Sequence, residues 1–220
     1  MISIKLNSMK KIILSLAMLM ASFSLFGNND PYTTAMNAAL EKLNQCKAAD
    51  EYLESANRFE RIAFTERDKW LPYYYASFAY IQMSFMEQDM PKRDMILDKA
   101  QVLLDSAMRI RPDESELHVL QALLYPSRII VDPMGRGMQY VGLMFESLGK
   151  AKSLNPENPR IYFLEAINTL NLPPAMGGGA ELAKPIFEKA QEKYNSFQPE
   201  SEIAPDWGKE SVEAELAKLN

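Results

Sequence analysis

The chain has 220 residues, 47% of them hydrophobic, which rules out a disordered chain and permits a sizeable buried core. Its formal charge is −5, from 24 Lys and Arg against 29 Asp and Glu, so it lacks the basic surface that nucleic acid or an anionic membrane requires. Fourteen Met against nine Gly favour helices, and a single Cys excludes an intrachain disulfide.

Residues 1–27 differ from the rest. Lys10 and Lys11 precede a run, Ile12 to Phe26, that is apolar apart from Ser15, Ser22 and Ser24. This is the pattern of a secretory signal peptide, with cleavage expected after Gly27 and Met9 as an alternative start. The run is about five residues short of the roughly 20 that a membrane span needs. No Cys follows it, so a lipid-modified N-terminus is not expected; Cys46 lies too far downstream. The expected location is the periplasm or the medium. Without Lys5, Lys10 and Lys11 the chain keeps 21 basic residues against 29 acidic, a formal charge of −8.

Residues 28–220 read as one helical domain, because apolar residues recur at three- and four-residue spacing nearly throughout. Thr34 is placed as the cap of a helix to about Lys47, with Met36, Ala39, Leu40, Leu43 and Cys46 on one stripe. Asp50 is placed as the cap of a second, with Leu53, Ala56, Phe59, Ile62 and Ala63 inward. Pro72 opens an aromatic helix to about Phe85, and a fourth spans about Arg93 to Ile110. The fifth runs from about Glu114 to Tyr125, where Pro126 kinks or ends it, and Asp132 to Gly137 reads as a loop. Helices follow at Gln139–Leu154, Pro159–Asn171 and Ala180–Ser196, then a short last one capped by Asp206. That makes four hairpins and a ninth helix, with no strand expected.

A phrase recurs in the second helix of successive hairpins. Ala100, Leu104, Ala107 and Pro112 return as Met144, Leu148, Ala151 and Pro156, then as Ala183, Phe187 and Ala190 with Asn195 in the proline position. The anchors Ile62, Ala107, Ala151 and Ala190 are spaced 45, 44 and 39 residues apart, in the range of helical repeats. The small residues let helices approach closely, and the large one fills the space between hairpins.

This phrase resembles the second helix of the tetratricopeptide repeat. Ser77 with Tyr80, Ala122 with Tyr125 and Ala166 resemble its first helix. The period exceeds the family's usual 34 residues because loops are inserted. The chain also resembles small secreted tetratricopeptide-like proteins of Bacteroidetes-type bacteria, through its Asp-Pro-Met and Gly-Gly-Gly segments and Trp207-Gly208. The resemblance implies an all-α array of helical hairpins with inserted loops and a C-terminal capping helix. It implies no activity.

In that fold Tyr74, Phe78, Ile81, Val119, Leu123, Arg160, Phe163 and Ile167 fall on the concave face. Such an apolar face has two readings. Either the inserted loops and the tail fold onto it, or it binds an apolar peptide or small hydrophobic ligand. The leading functional expectation is a scaffold that binds a protein or peptide through this face. The alternative is a periplasmic small-ligand carrier or transporter accessory.

Other candidates are weaker. Gly177-Gly178-Gly179 precedes a helix and offers backbone N–H groups to an anion, but no Gly-Lys-Ser/Thr follows. Arg136 is suited to clamp a carboxylate. Cys46 reads as a buried thiol or, alternatively, an intermolecular disulfide. His118, the one histidine, stands where the repeat has a bulky ring. No zinc ligand set, nucleophile with a base, or cofactor motif is present, so no enzyme, metal or cofactor is expected.

Overall fold

The computed structural model describes residues 30–219. The expected signal peptide lies outside them. Among the described residues there are nine α-helices and no strand: α1 Pro31–Leu43, α2 Ala49–Thr65, α3 Trp70–Met86, α4 Met90–Ile110, α5 Ser115–Val131, α6 Pro133–Leu154, α7 Pro159–Asn171, α8 Ala180–Ser196 and α9 Lys209–Leu219. A 3₁₀ turn, Pro174–Met176, precedes α8. Ala35 onward forms one compact unit.

The helices stack as antiparallel hairpins, α3 with α4, α5 with α6, and α7 with α8. The first helices, α3, α5 and α7, lie side by side as an inner row. The second helices form an outer row, each of α4 and α6 also touching the next inner helix. α2 covers the near side of α3, and α9 caps α8.

The recurrent phrase sits at the seams. Ala100, Leu104, Ala107, Met144, Leu148, Ala151, Ala183, Phe187 and Ala190 are all buried, and so are the small inner-row residues Ser77, Ala122 and Ala166. Polar side chains fasten the joints: the Ser77 hydroxyl donates to the Ala100 carbonyl at 2.9 Å, and Ser115 to that of Ala151 at 3.0 Å. In α2 the buried stripe is Ala56, Phe59 and Ala63, whereas Ile62 is half-buried and Leu53 exposed.

Several boundaries differ from expectation. α1 begins before Thr34 and ends at Leu43, leaving Cys46 in the turn beyond it, where its thiol donates to the Lys42 carbonyl. Burial raises the pKa of that thiol, with Glu51 and Glu54 adding to the effect. The Glu51 carboxylate, reaching back to the N–H groups of Lys47 and Ala48, caps α2, so Asp50 does not. Asp206 precedes the last helix by three residues; Gly208, at φ 108°, turns the chain into α9.

Two differences bear on function. α5 continues through Pro126 to Val131. The Asp132–Gly137 segment is not a loop: Asp132 caps α6 by accepting from Gly135 N–H at 2.9 Å, and Pro133 occupies the first turn, where its missing N–H costs nothing.

Candidate functional site

The inner row has two halves. Over its first half lies the segment between α8 and α9, Phe197 to Gly208. Trp207 packs on Phe78 at 5.3 Å between ring centres and edge-on to Phe163 at 6.3 Å. Its indole N–H donates to the Tyr74 hydroxyl at 2.8 Å. Tyr75 donates to the Ile203 carbonyl and Tyr194 to the Trp207 carbonyl, each at 2.9 Å.

Beneath this cover is a buried ion pair. Arg160 donates from Nε to both Glu116 oxygens at 2.9 Å and from Nη2 to Oε1 at 2.6 Å. Asn158 adds a third donor at 2.6 Å, and the Phe197 ring lies 4.6 Å from the guanidinium carbon. Burial opposes the charge on Arg160, but the Glu116 carboxylate outweighs it and raises the pKa. Burial also raises Tyr74 and Tyr194 well above the ordinary phenol range.

Of the concave-face residues, Tyr74, Phe78, Ile81, Val119, Arg160 and Phe163 are buried. The tail, rather than an inserted loop, lies on this half of the face. Leu123 and Ile167 are only half-buried, and they meet elsewhere. They line a cavity of about 470 Å³ over the second half of the inner row. Phe85 of α3, Pro126, Ile129 and Ile130 of α5, Val141 and Met144 of α6, and Leu164, Asn168, Asn171 and Leu172 of α7 and its end complete the wall. No lining residue is charged. The Asn168 and Asn171 amides donate to the Leu164 and Ile167 carbonyls, leaving their side-chain oxygens as the amide acceptors at this end. The volume is in the range of small-molecule sites, ~300–1,000 Å³.

The α5 part of this wall beyond Leu123 escapes a reading of the sequence because Pro126 suggests a helix end. Once α5 runs on, Ile129 and Ile130 follow Pro126 around one face, opposite Val141 on the lengthened α6. The missed signal is the Ile129-Ile130-Val131 run, three residues past Pro126, too apolar for a solvated loop.

A second cavity, about 460 Å³, lies beside the ion pair and is lined by Glu114, Glu116, Glu157 and Glu200 with Trp70 and Phe197. Burial, helped by Glu116 and Glu200, raises the pKa of Glu114. The other candidates form no site. The N–H groups of Gly177, Gly178 and Gly179 donate to the carbonyls of Pro174, Pro173 and Thr169, so they are already spent. Arg136 clamps the chain's own Asp94 at 2.8 and 2.7 Å. His118 is half-buried, with its pKa lowered chiefly by burial, and it does not line the apolar cavity. Among the described residues no group of His, Cys, Asp and Glu could hold a metal ion, and no helix is long and apolar enough to cross a membrane.

No protein-family model matches the sequence, and no match is found among curated proteins. Among solved structures the chain is similar to the HusA haemophore from Porphyromonas gingivalis, with a TM-score of 0.78 and 29% sequence identity, over 89% of this chain and 96% of that one. That neighbour is a helical protein of a Bacteroidetes bacterium.

Proposed function

We propose that this protein is an exported, non-enzymatic carrier of a flat apolar ligand of porphyrin size, taken up in the cavity between α5, α6 and α7. The observation that carries the proposal is that cavity: about 470 Å³, mainly apolar on its walls and uncharged, in a fold similar to a haemophore. Burial of a broad ring against Leu123, Ile167 and their neighbours supplies the affinity, at about 25 cal/mol per Å² of apolar surface. The lining offers no imidazole, phenol or thiolate to iron, and its one soft donor atom is the Met144 sulfur. A haem would therefore be held mainly by its ring. The Asn168 and Asn171 oxygens can accept from a ligand hydroxyl or protonated carboxyl at the edge.

The test is an absorbance and fluorescence titration with haem and with metal-free protoporphyrin. Both are expected to saturate. Ile167→Glu places a carboxylate against the apolar ring and its like-charged propionates and should weaken both by about tenfold or more, since an unpaired charge is costly to bury. Ile167 is half-buried, so the variant is expected to keep its helical circular dichroism. Absence of saturable binding, or an unchanged affinity in Ile167→Glu, sinks the proposal.

A protein or peptide partner on the concave face is the second possibility. It is favoured by the tail itself, an irregular segment held on the inner row through the carbonyls of Ile203 and Trp207. Such a partner would have to displace that segment. Binding would then free Trp207, read as a red shift in its fluorescence, whereas a cavity ligand leaves Trp207 docked.

A further inference from the structure

α6 changes character along its length. Its last turns are core, with Met144, Leu148 and Ala151 buried. Its first turns are open: Met134 is 97% exposed and Met138 81%. Helical spacing places Met134, Met138 and Val141 on one stripe. Val141 lines the apolar cavity, so the stripe carries the cavity's wall two turns out into solvent. Single exposed apolar residues are ordinary, but a stripe continuous with a cavity is not.

The same turns carry Gly135, Gly137 and Gly142. Gly137 and Gly142 have no atom within 4 Å of the place a side chain would occupy, so packing does not demand glycine at either. Glycine is a poor residue for a helix interior. Gly135 is different, since a side chain there would strike the capping Asp132 carboxylate. Beyond that cap, the segment is tied to α4 through Arg136, which grips both oxygens of Asp94, and to α5 through Tyr140, whose ring centre lies 5.4 Å from that of Tyr125.

We propose that the first turns of α6, Pro133 to Gly142, close over a ligand in the cavity and bring the thioethers of Met134 and Met138 against its face. The proposal rests on the carrier function above. Methionine suits the task, because its unbranched side chain adapts to shape and its sulfur packs well on aromatic rings. The glycines let the segment bend, and the Arg136–Asp94 pair marks the position from which it moves.

The experiment is NMR of the full-length protein carrying ¹³C-methyl methionine, titrated with metal-free protoporphyrin. Its ring current displaces any methyl lying over it. The expected result is that Met144, in the cavity wall, and Met134 and Met138 all shift, while Met36 of α1 does not. If Met144 shifts while Met134 and Met138 stay, the carrier function stands and the closing segment is overturned. If none shifts, both fall. As a second readout, Gly137→Ala with Gly142→Ala, which fit without displacing a neighbour, should slow protoporphyrin association by about fivefold or more by stiffening the helix. Unchanged association kinetics in that variant also overturn the proposal.

Discussion

Glu116 and Arg160 have side chains only 10% and 1% exposed, so their charges have lost most of their hydration. They are tolerated because each answers the other, with Asn158 and the Tyr74 hydroxyl as further donors to the carboxylate. Removing one alone strands the other. Glu116→Ala is expected to cost about 3–5 kcal/mol in urea unfolding, and Glu116→Leu with Arg160→Met should restore most of it. A loss below about 1 kcal/mol in the single variant would show that water reaches the pair. Asp94 is a more exposed case. Its pKa lies below the ordinary 3.8, held there first by the hydrogen bond from Arg136, against some burial, and then by Arg128. A carboxyl depressed in the folded state contributes stability above its unfolded pKa and loses it as the pH falls through the folded value. Thermal stability should therefore be insensitive to this group above about pH 5 and fall below about pH 4, a fall that Asp94→Asn reduces. Because α6 is fastened here, Asp94→Asn should also raise hydrogen exchange in its first turns.

At the scale of elements, the repeat phrase was legible because each of its positions answers a physical need. A small residue must stand where two helices nearly touch, and Ala107, Ala151 and Ala190 are fully buried for that reason. The tail was less legible. Nothing local in Phe197 to Gly208 says where it docks, since its partners Tyr74 and Tyr75 lie 133 and 128 residues away in sequence. The cavity was half legible: Leu123 and Ile167 stand out by periodicity, but Pro126 masks the two isoleucines after it. Gly208 is the hinge between tail and α9. It holds φ at 108°, and a side chain there would come within 2.1 Å of the Tyr194 hydroxyl. Gly208→Ala is thus expected to cost about 1–3 kcal/mol and lower the melting temperature, whereas Gly149→Ala, facing open space, should be neutral or stabilising.

For the whole molecule, the two rows of helices seat each hairpin against the one before and the one after it, and the inner row is divided between a half that the chain covers and a half that it leaves hollow. The hollow half presents an uncharged, mainly apolar wall, whereas the covered half holds the tail and the ion pair. The covering segment has a consequence for how the molecule comes apart. A stack of hairpins is nearly one-dimensional, each unit knowing only the next, and such arrays can fray from either end. Here Trp207, anchored by Tyr194 of the last hairpin, also rests on Tyr74 and Phe78 near the other end. That bridge closes the line into a ring of dependencies, so the ends cannot loosen independently. Unfolding should be a single cooperative transition, with Trp207 fluorescence and far-ultraviolet circular dichroism coinciding. In Trp207→Ala the ring opens, and the circular-dichroism transition should broaden or split, as expected of an array released to melt piece by piece. Docking so distant a segment also requires closing a long loop, which makes it a late event in folding, after the local hairpins have formed.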